Sequence, residues 1–222
     1  MSLTDHLLME LEKKYFFIIK RLLEEHLGEI INQLYSQQNI PMYPSGTNTI
    51  QKGAQNIIEG IIDRSQGWNI ASMGASSDSC FECGDSIIHL EVKTIKITDD
   101  DYRENRVLLE RNQTSYNSTS SSIIAGKNWL ANLRFYENHI RFGKVPNLTY
   151  AVRIAYSPTN LVEEIRLMSI PNGQFYTTFF DTILYPGKRP GTLTRPNIRF
   201  KMNEITQKNG HEWRSSVLFK RQ

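Results

Sequence analysis

The chain has 222 residues, 26 Lys plus Arg against 23 Asp plus Glu, and 39% apolar residues. That length suits one domain with a substantial core, and a charged share of 22% with an aromatic share of 10% argues against global disorder. Two cysteines exclude a disulfide-stapled scaffold, no apolar run approaches the roughly 18–20 residues that cross a bilayer, and the polar start MSLTDH is unlike a signal peptide, so a soluble cytoplasmic protein is expected.

The net charge of +3 hides an asymmetry. Residues 1–38 carry 4 basic and 6 acidic side chains, residues 39–105 carry 5 and 10, and residues 106–222 carry 17 and 7. An acidic middle beside a basic C-terminal half suggests a cation site facing a polyanion-binding surface.

Residues 4–38 place apolar side chains at helical spacing, from Leu7, Leu8 and Leu11 through Ile19 and Leu23 to Ile30 and Leu34. The spacing predicts one long helix, or two broken near Gly28, with the stripe turned toward the core. Ile40-Pro-Met-Tyr-Pro-Ser-Gly46 follows as a turn-rich loop. Thr47 or Asn48 can cap a further helix to about Arg64, burying Ile50, Ala54, Ile57, Ile58, Ile61 and Ile62.

Residues 67–72 read as a strand, Ser77–Phe81 as another, Glu82–Asp85 as a turn, and Ser86–Lys96 as the strand that completes a hairpin. Residues 112–122 form a polar loop, and a helix is expected over Ser122–His139. Leu148–Tyr156 and Glu164–Ile170 read as strands, and Ser215–Lys220 as a last one. The fold class expected is α/β, a mixed sheet flanked by helices with an N-terminal helical arm. It divides into the arm and its loop (1–46), a core (47–171) and a basic C-terminal segment (172–222).

The informative stretch is Ser77-Asp-Ser-Cys-Phe-Glu-Cys-Gly-Asp-Ser-Ile-Ile-His-Leu-Glu-Val-Lys-Thr94. On its second strand the period of two puts Ile88, Leu90 and Val92 on one face and His89, Glu91 and Lys93 on the other. Glu-x-Lys alone is common on exposed strands. Asp78 raises its weight, because the hairpin brings this carboxylate beside Glu91. Two carboxylates suit a hard divalent cation such as Mg²⁺, and Lys93 beside them suits metal-assisted phosphodiester hydrolysis.

This hairpin resembles the active site of the PD-(D/E)XK nuclease superfamily, which includes most type II restriction endonucleases. Glu59 lies in Gln55-Asn-Ile-Ile-Glu-Gly-Ile-Ile-Asp63, where the family carries a glutamate on a helix before the sheet, and residues 47–171 follow its core order. Two departures stand out. Ser77 replaces the proline that often precedes the aspartate, and Asp85 competes with Asp78 as the metal-binding residue.

The resemblance implies a restriction-endonuclease-like fold with Asp78, Glu91 and the Val92 backbone carbonyl holding Mg²⁺. It implies that Lys93 orients or deprotonates the attacking water and that Glu59 binds a second ion or steers that water. The implied function is a homodimeric type II restriction endonuclease cutting double-stranded DNA at a short palindrome, with GC content mildly favoured, to leave 5′-phosphates. A junction-resolvase-like nuclease and a non-catalytic DNA-binding protein are the alternatives.

Cys80 and Cys83 are spaced as in a zinc knuckle, but no second ligand pair accompanies them, and they read as two small semi-buried residues. The segment 187–201 carries five cations and no acid, and Lys188, Arg189, Arg195, Arg199 and Lys201 are expected DNA contacts. Gln113 and Thr114 are polar enough to reach phosphates or base edges. Met42 and Tyr43, between two prolines, suit a wedge between base steps or ordinary packing against the N-terminal helices.

Overall fold

The computed structural model describes residues 4–37, 49–70, 77–109, 115–116, 118–124, 127–133, 145–185 and 198–222. They begin with α1 (Asp5–Glu25), α2 (Leu27–Gln37) and α3 (Thr49–Gln66), then β1 (Asn69–Ile70), β2 (Ser79–Glu82) and β3 (Ile87–Lys96). Next come α4 (Asp100–Arg103), β4 (Arg106–Leu109), β5 (Ser118–Ile124), β6 (Lys127–Leu133), β7 (Asn147–Tyr156) and β8 (Val162–Ile170). The chain closes with α5 (Tyr176–Phe179), β9 (Leu184–Tyr185), β10 (Ile198–Lys201), α6 (Met202–Thr206) and β11 (Ser215–Lys220).

Thr4 caps α1, its hydroxyl accepting the Leu7 N–H at 3.3 Å, and Asp5 in the first turn complements the helix dipole. The N-terminal helix breaks near Gly28, at His26, as the second of the two expected arrangements has it. There the ring bonds the Leu22 carbonyl at 3.0 Å while the backbone leaves helical dihedrals (φ −105°, ψ 13°). Leu8, Phe16, Ile19 and Leu23 of α1 are buried in the same apolar cluster as Ile57, Ile58 and Ile61 of α3 and as Leu90, Tyr150 and Leu167 of the sheet. The N-terminal helices and the sheet therefore share one core, in which each fully buried Leu, Ile or Phe contributes about 1.5–3 kcal/mol.

Six strands form the main sheet in the order β1-β2-β3-β7-β8-β11. Only β3 and β7 run parallel, in register from Ile87↔Asn147 to Lys96↔Tyr156; the other pairs are antiparallel. This is the mixed sheet with flanking helices that the element order implied, and β11 coincides with the expected final strand. Three strands make a second sheet, β4-β10-β9, and β5 pairs with β6 alone.

The helix expected over Ser122–His139 is corrected. Residues 118–124 and 127–133 are the two strands of a hairpin, with Ile124 opposite Lys127, and 134–139 lie outside the described residues. Only two residues separate the paired strands in sequence, a spacing typical of hairpins. That pairing outweighs the three-residue apolar spacing of Leu130 and Leu133. The connection from β3 to its parallel neighbour β7 thus passes through α4, β4 and this hairpin.

The polar loop expected at 112–122 is also partly strand, and part of it is packed. Tyr116 is fully buried, donating its hydroxyl to the Phe180 carbonyl at 2.6 Å and meeting Phe200 edge to face at 5.8 Å. Ser115 bonds the Thr149 hydroxyl from its own N–H at 3.2 Å and lies 3.3 Å from it through Oγ.

Candidate active site

The β2–β3 hairpin turns at Cys83–Ser86, where Gly84 adopts φ +76°, a left-handed conformation that costs glycine nothing. Its last registered pair is Ser79↔Leu90, so Asp78 stands just beyond the end of β2, opposite Glu91. The Asp78 N–H donates to Glu91 Oε2 at 3.2 Å, and the Val92 N–H donates to Asp78 Oδ2 at 2.7 Å. Gln55 on α3 donates to the Asp78 carbonyl at 3.2 Å. The aspartate is held through backbone and side chain alike, and Gln55 is a contributor that the motif gave no reason to single out.

A residue's N–H and C=O project to the same side of a strand. Because the Val92 N–H meets Asp78, the Val92 carbonyl also faces the side that β2 has vacated. Two carboxylates and one carbonyl therefore converge at this edge, a hard, oxygen-only donor set that fits a divalent cation. Among the described residues there is no group of three or more His, Cys, Asp or Glu side chains placed to hold a metal.

Glu91 is 1% exposed, so the polar face of β3 is not the solvated face its alternation suggested. Burial pushes its carboxyl up, the Lys93 ammonium pulls it down, and the Asp78 carboxylate pushes it up again, leaving a pKa of about 7. Lys93 Nζ forms an ion pair with Glu91 Oε1. Across the parallel ladder Lys93 lies opposite Arg153, whose guanidinium is taken up by Glu164 at 3.0 Å.

The raised Glu91 pKa has a measurable sign. The folded state binds this proton more tightly than the unfolded chain, so between about pH 4.5 and 7 ionising Glu91 costs stability as pH rises. Glu91→Gln is expected to melt about 3–6 °C above the wild type near pH 8 in EDTA, and no higher than it near pH 4. A gap that does not change across a pH series of thermal melts would contradict this.

Asp85 is placed elsewhere. Its carboxylate pairs with Lys14 at 2.6 Å and accepts the Tyr15 hydroxyl, both on α1. Burial raises its pKa, but the bonds from Lys14 and Tyr15 outweigh that and hold the carboxyl below its usual range. Glu59 is half-buried on α3, one helical turn after Gln55 and so on the face that reaches Asp78. Cys80 is buried and Cys83 half-buried; both are thiols that burial pushes up to about 12, which makes poor metal ligands of them at neutral pH.

Arg199 of β10 forms an ion pair with Asp101 and is largely covered, while Lys201 is half-buried at the strand's end. Met42, Tyr43, Gln113, Thr114, Lys188, Arg189 and Arg195 lie outside the described residues. No described helix is long and apolar enough to cross a membrane.

No curated protein sequence matches the chain. The fold is similar to the crystal structure of the restriction endonuclease BglI bound to its DNA recognition sequence, at TM-score 0.71 and 12% identity over 95% of this chain and 90% of that one. It is also similar to the tetrameric restriction endonuclease SfiI bound to cognate DNA, at TM-score 0.73 and 13% identity over 97% of this chain and 85% of that one. At such identities the likeness shows a shared fold. The family model described as the type II restriction enzyme MwoI, N-terminal domain, matches residues 5–160, well over half of the chain. The chain therefore belongs to that family and is a type II restriction endonuclease.

Proposed function

We propose that the chain hydrolyses double-stranded DNA at a specific sequence with Mg²⁺, using Asp78, Glu91 and the Val92 carbonyl to hold the ion and Lys93 to act on the attacking water. The observation that carries this reading is the buried Glu91 carboxylate at the open end of the β2–β3 hairpin, bonded to the Asp78 N–H on one side and to the half-buried Lys93 ammonium on the other. Two carboxylates brought together with one ammonium leave unbalanced negative charge, which a divalent cation neutralises. When bound, Mg²⁺ supplies Lewis-acid polarisation of the scissile phosphate and acidifies a water.

The side chains do the rest. Lys93, an ammonium tethered to Glu91, offsets the charge that builds on the phosphoryl oxygens and orients the water, whose proton passes to solvent as the leaving 3′ oxygen takes one from it. The water oxygen bonds to phosphorus, the bond to the 3′ oxygen breaks, and a 5′-phosphate and a 3′-hydroxyl remain. Glu59, on the same face of α3 as Gln55, steers that water or holds a second ion. Both BglI and SfiI are described bound to DNA, which supports the double-stranded substrate.

One such site per chain implies a homodimer for a two-strand cut at a short palindrome. The cation-rich segment 187–201 supplies DNA contacts, with arginines that favour guanine and so a GC-containing site. The cytoplasm, where the DNA is, is the place of action.

The test is incubation of purified protein with unmethylated phage DNA, with Mg²⁺ or with EDTA. Discrete Mg²⁺-dependent bands with 5′-phosphate ends are expected. Equal cutting in EDTA would overturn the metal assignment, and intact DNA in both lanes across several phage genomes would overturn the reading.

A further inference from the structure

The residue before Asp78 is held in an unusual way. Ser77 precedes the first registered pair of β2, so the sheet ladder does not restrain it, and it stands where the resembling family often has a proline. Its hydroxyl lies 3.2 Å from His89 Nδ1. His89 is on the same face of β3 as Glu91 and is 3% exposed. Its Nε2 lies 3.1 Å from Asn147 Oδ1. An amide oxygen can only accept, so Nε2 carries the imidazole proton, and Nδ1 is left to accept from Ser77.

Asn147 is fully buried at the start of β7 and is itself fixed. Its carbonyl accepts the Asn172 side-chain amide at 2.8 Å, and the Asn172 N–H donates to Glu12 Oε1 at 2.7 Å. Glu12 is paired in turn with Arg214. A line of buried hydrogen bonds thus runs from the ion pair between α1 and the C-terminal region to the backbone entering the metal site. Its members are polar and nearly all covered, and such groups hold their geometry firmly once every partner is in place.

We propose that His89 is a positioning residue, which holds Asp78 in its metal-binding position through the Ser77 hydroxyl. The hydrogen bond does here what a proline ring does by covalent restraint: it removes alternative backbone conformations of the segment that delivers the carboxylate. The proposal rests on the assignment of Asp78 and Glu91 as metal ligands, and the experiment separates the two.

Mn²⁺ is the probe, with the free ion followed by electron paramagnetic resonance in a titration of the purified full chain. Half-maximal Mg²⁺ for DNA cleavage and the melting temperature are read in parallel. Ser77→Thr keeps the hydroxyl and is expected to match the wild type. Ser77→Val matches the Thr variant in shape without the hydroxyl and is expected to bind Mn²⁺ about three- to ten-fold more weakly, the size of one hydrogen bond, with a melting temperature lowered by only about 2–6 °C. His89→Gln retains an N–H for Asn147 but offers Ser77 no ring nitrogen, and it is expected to show a similar loss. Adding Ser77→Val to it is expected to cost nothing more, because both changes remove the same bond.

Equal Mn²⁺ affinity in Ser77→Val and Ser77→Thr would overturn the positioning role, as would full additivity of Ser77→Val and His89→Gln. Asp78→Asn and Glu91→Gln serve as the control for the site itself. If both bind Mn²⁺ as the wild type does, the metal assignment fails and this proposal with it. If both lose Mn²⁺ while the Thr and Val variants agree, only the positioning role fails.

Discussion

Lys93→Ala is expected to bind the recognition duplex within about two-fold of the wild type and to cut it at least about 10³-fold more slowly, a loss of about 4 kcal/mol of transition-state stabilisation. The size follows from where the ammonium sits. Its side chain is 24% exposed, it pairs with a buried carboxylate, and the neighbouring Arg153 guanidinium is directed instead to Glu164, which it shares with Arg166. Lys93 is thus a charge in a partly desolvated site, where it interacts with a developing phosphoryl charge far more strongly than in water.

Binding is expected to survive because Lys93 is one cation among several proposed to meet the DNA backbone, those of segment 187–201 included. Gel-shift titration in Ca²⁺ and single-turnover cleavage in Mg²⁺ measure the two properties separately. Turnover within ten-fold of the wild type would remove Lys93 from the chemistry.

The second large effect is on stability. Arg214→Met, or Glu12→Gln alone, is expected to cost about 3–5 kcal/mol and to lower the melting temperature by about 8–15 °C. Arg214 is fully buried and Glu12 is 1% exposed. The guanidinium donates to Glu12, to Ser169 Oγ at 3.1 Å and to His211 Nδ1 at 2.9 Å, with the rings of Trp213 and Phe175 at 4.6 and 5.5 Å from its central carbon.

The Glu12 carbonyl also accepts the Tyr150 hydroxyl at 2.8 Å, so one residue of α1 is bonded to β7, to Asn172 just after β8 and to Arg214 just before β11. Removing either charge strands the other in an apolar interior. The double variant Glu12→Gln with Arg214→Met is therefore expected to be less destabilised than the sum of the singles, a coupling that a double-mutant cycle of thermal melts reads directly. Additive losses would mean that the two charges do not stabilise each other.

These two groups also show how far the residues could be read without the fold. The Asp78–Glu91–Lys93 hairpin was legible because its chemistry lies within 16 residues, and local periodicity governs pairing over that span. The helices at residues 5–66 and the strands at 147–170 were legible for the same reason: their apolar spacing is long and regular. The hairpin of β5 and β6 was not, since a short run of apolar residues satisfies helix and strand templates equally and the cross-strand pairing decides between them.

Glu12 and Arg214 lie 202 positions apart, and both read locally as ordinary surface charges. Composition, charge asymmetry and the hairpin motif determined by themselves that this is an α/β protein with an acidic site and a cation-rich C-terminal half. Only the tertiary structure decided that Asp85 is bound to Lys14 and Tyr15 on α1, that Gln55 and Glu91 meet Asp78, and that Glu91 is buried deeply enough to lift its pKa to about 7. The physical reason is that periodicity assigns a side chain to a face. What covers that face, and which distant charge meets it there, depends on contacts that form only when the whole chain packs.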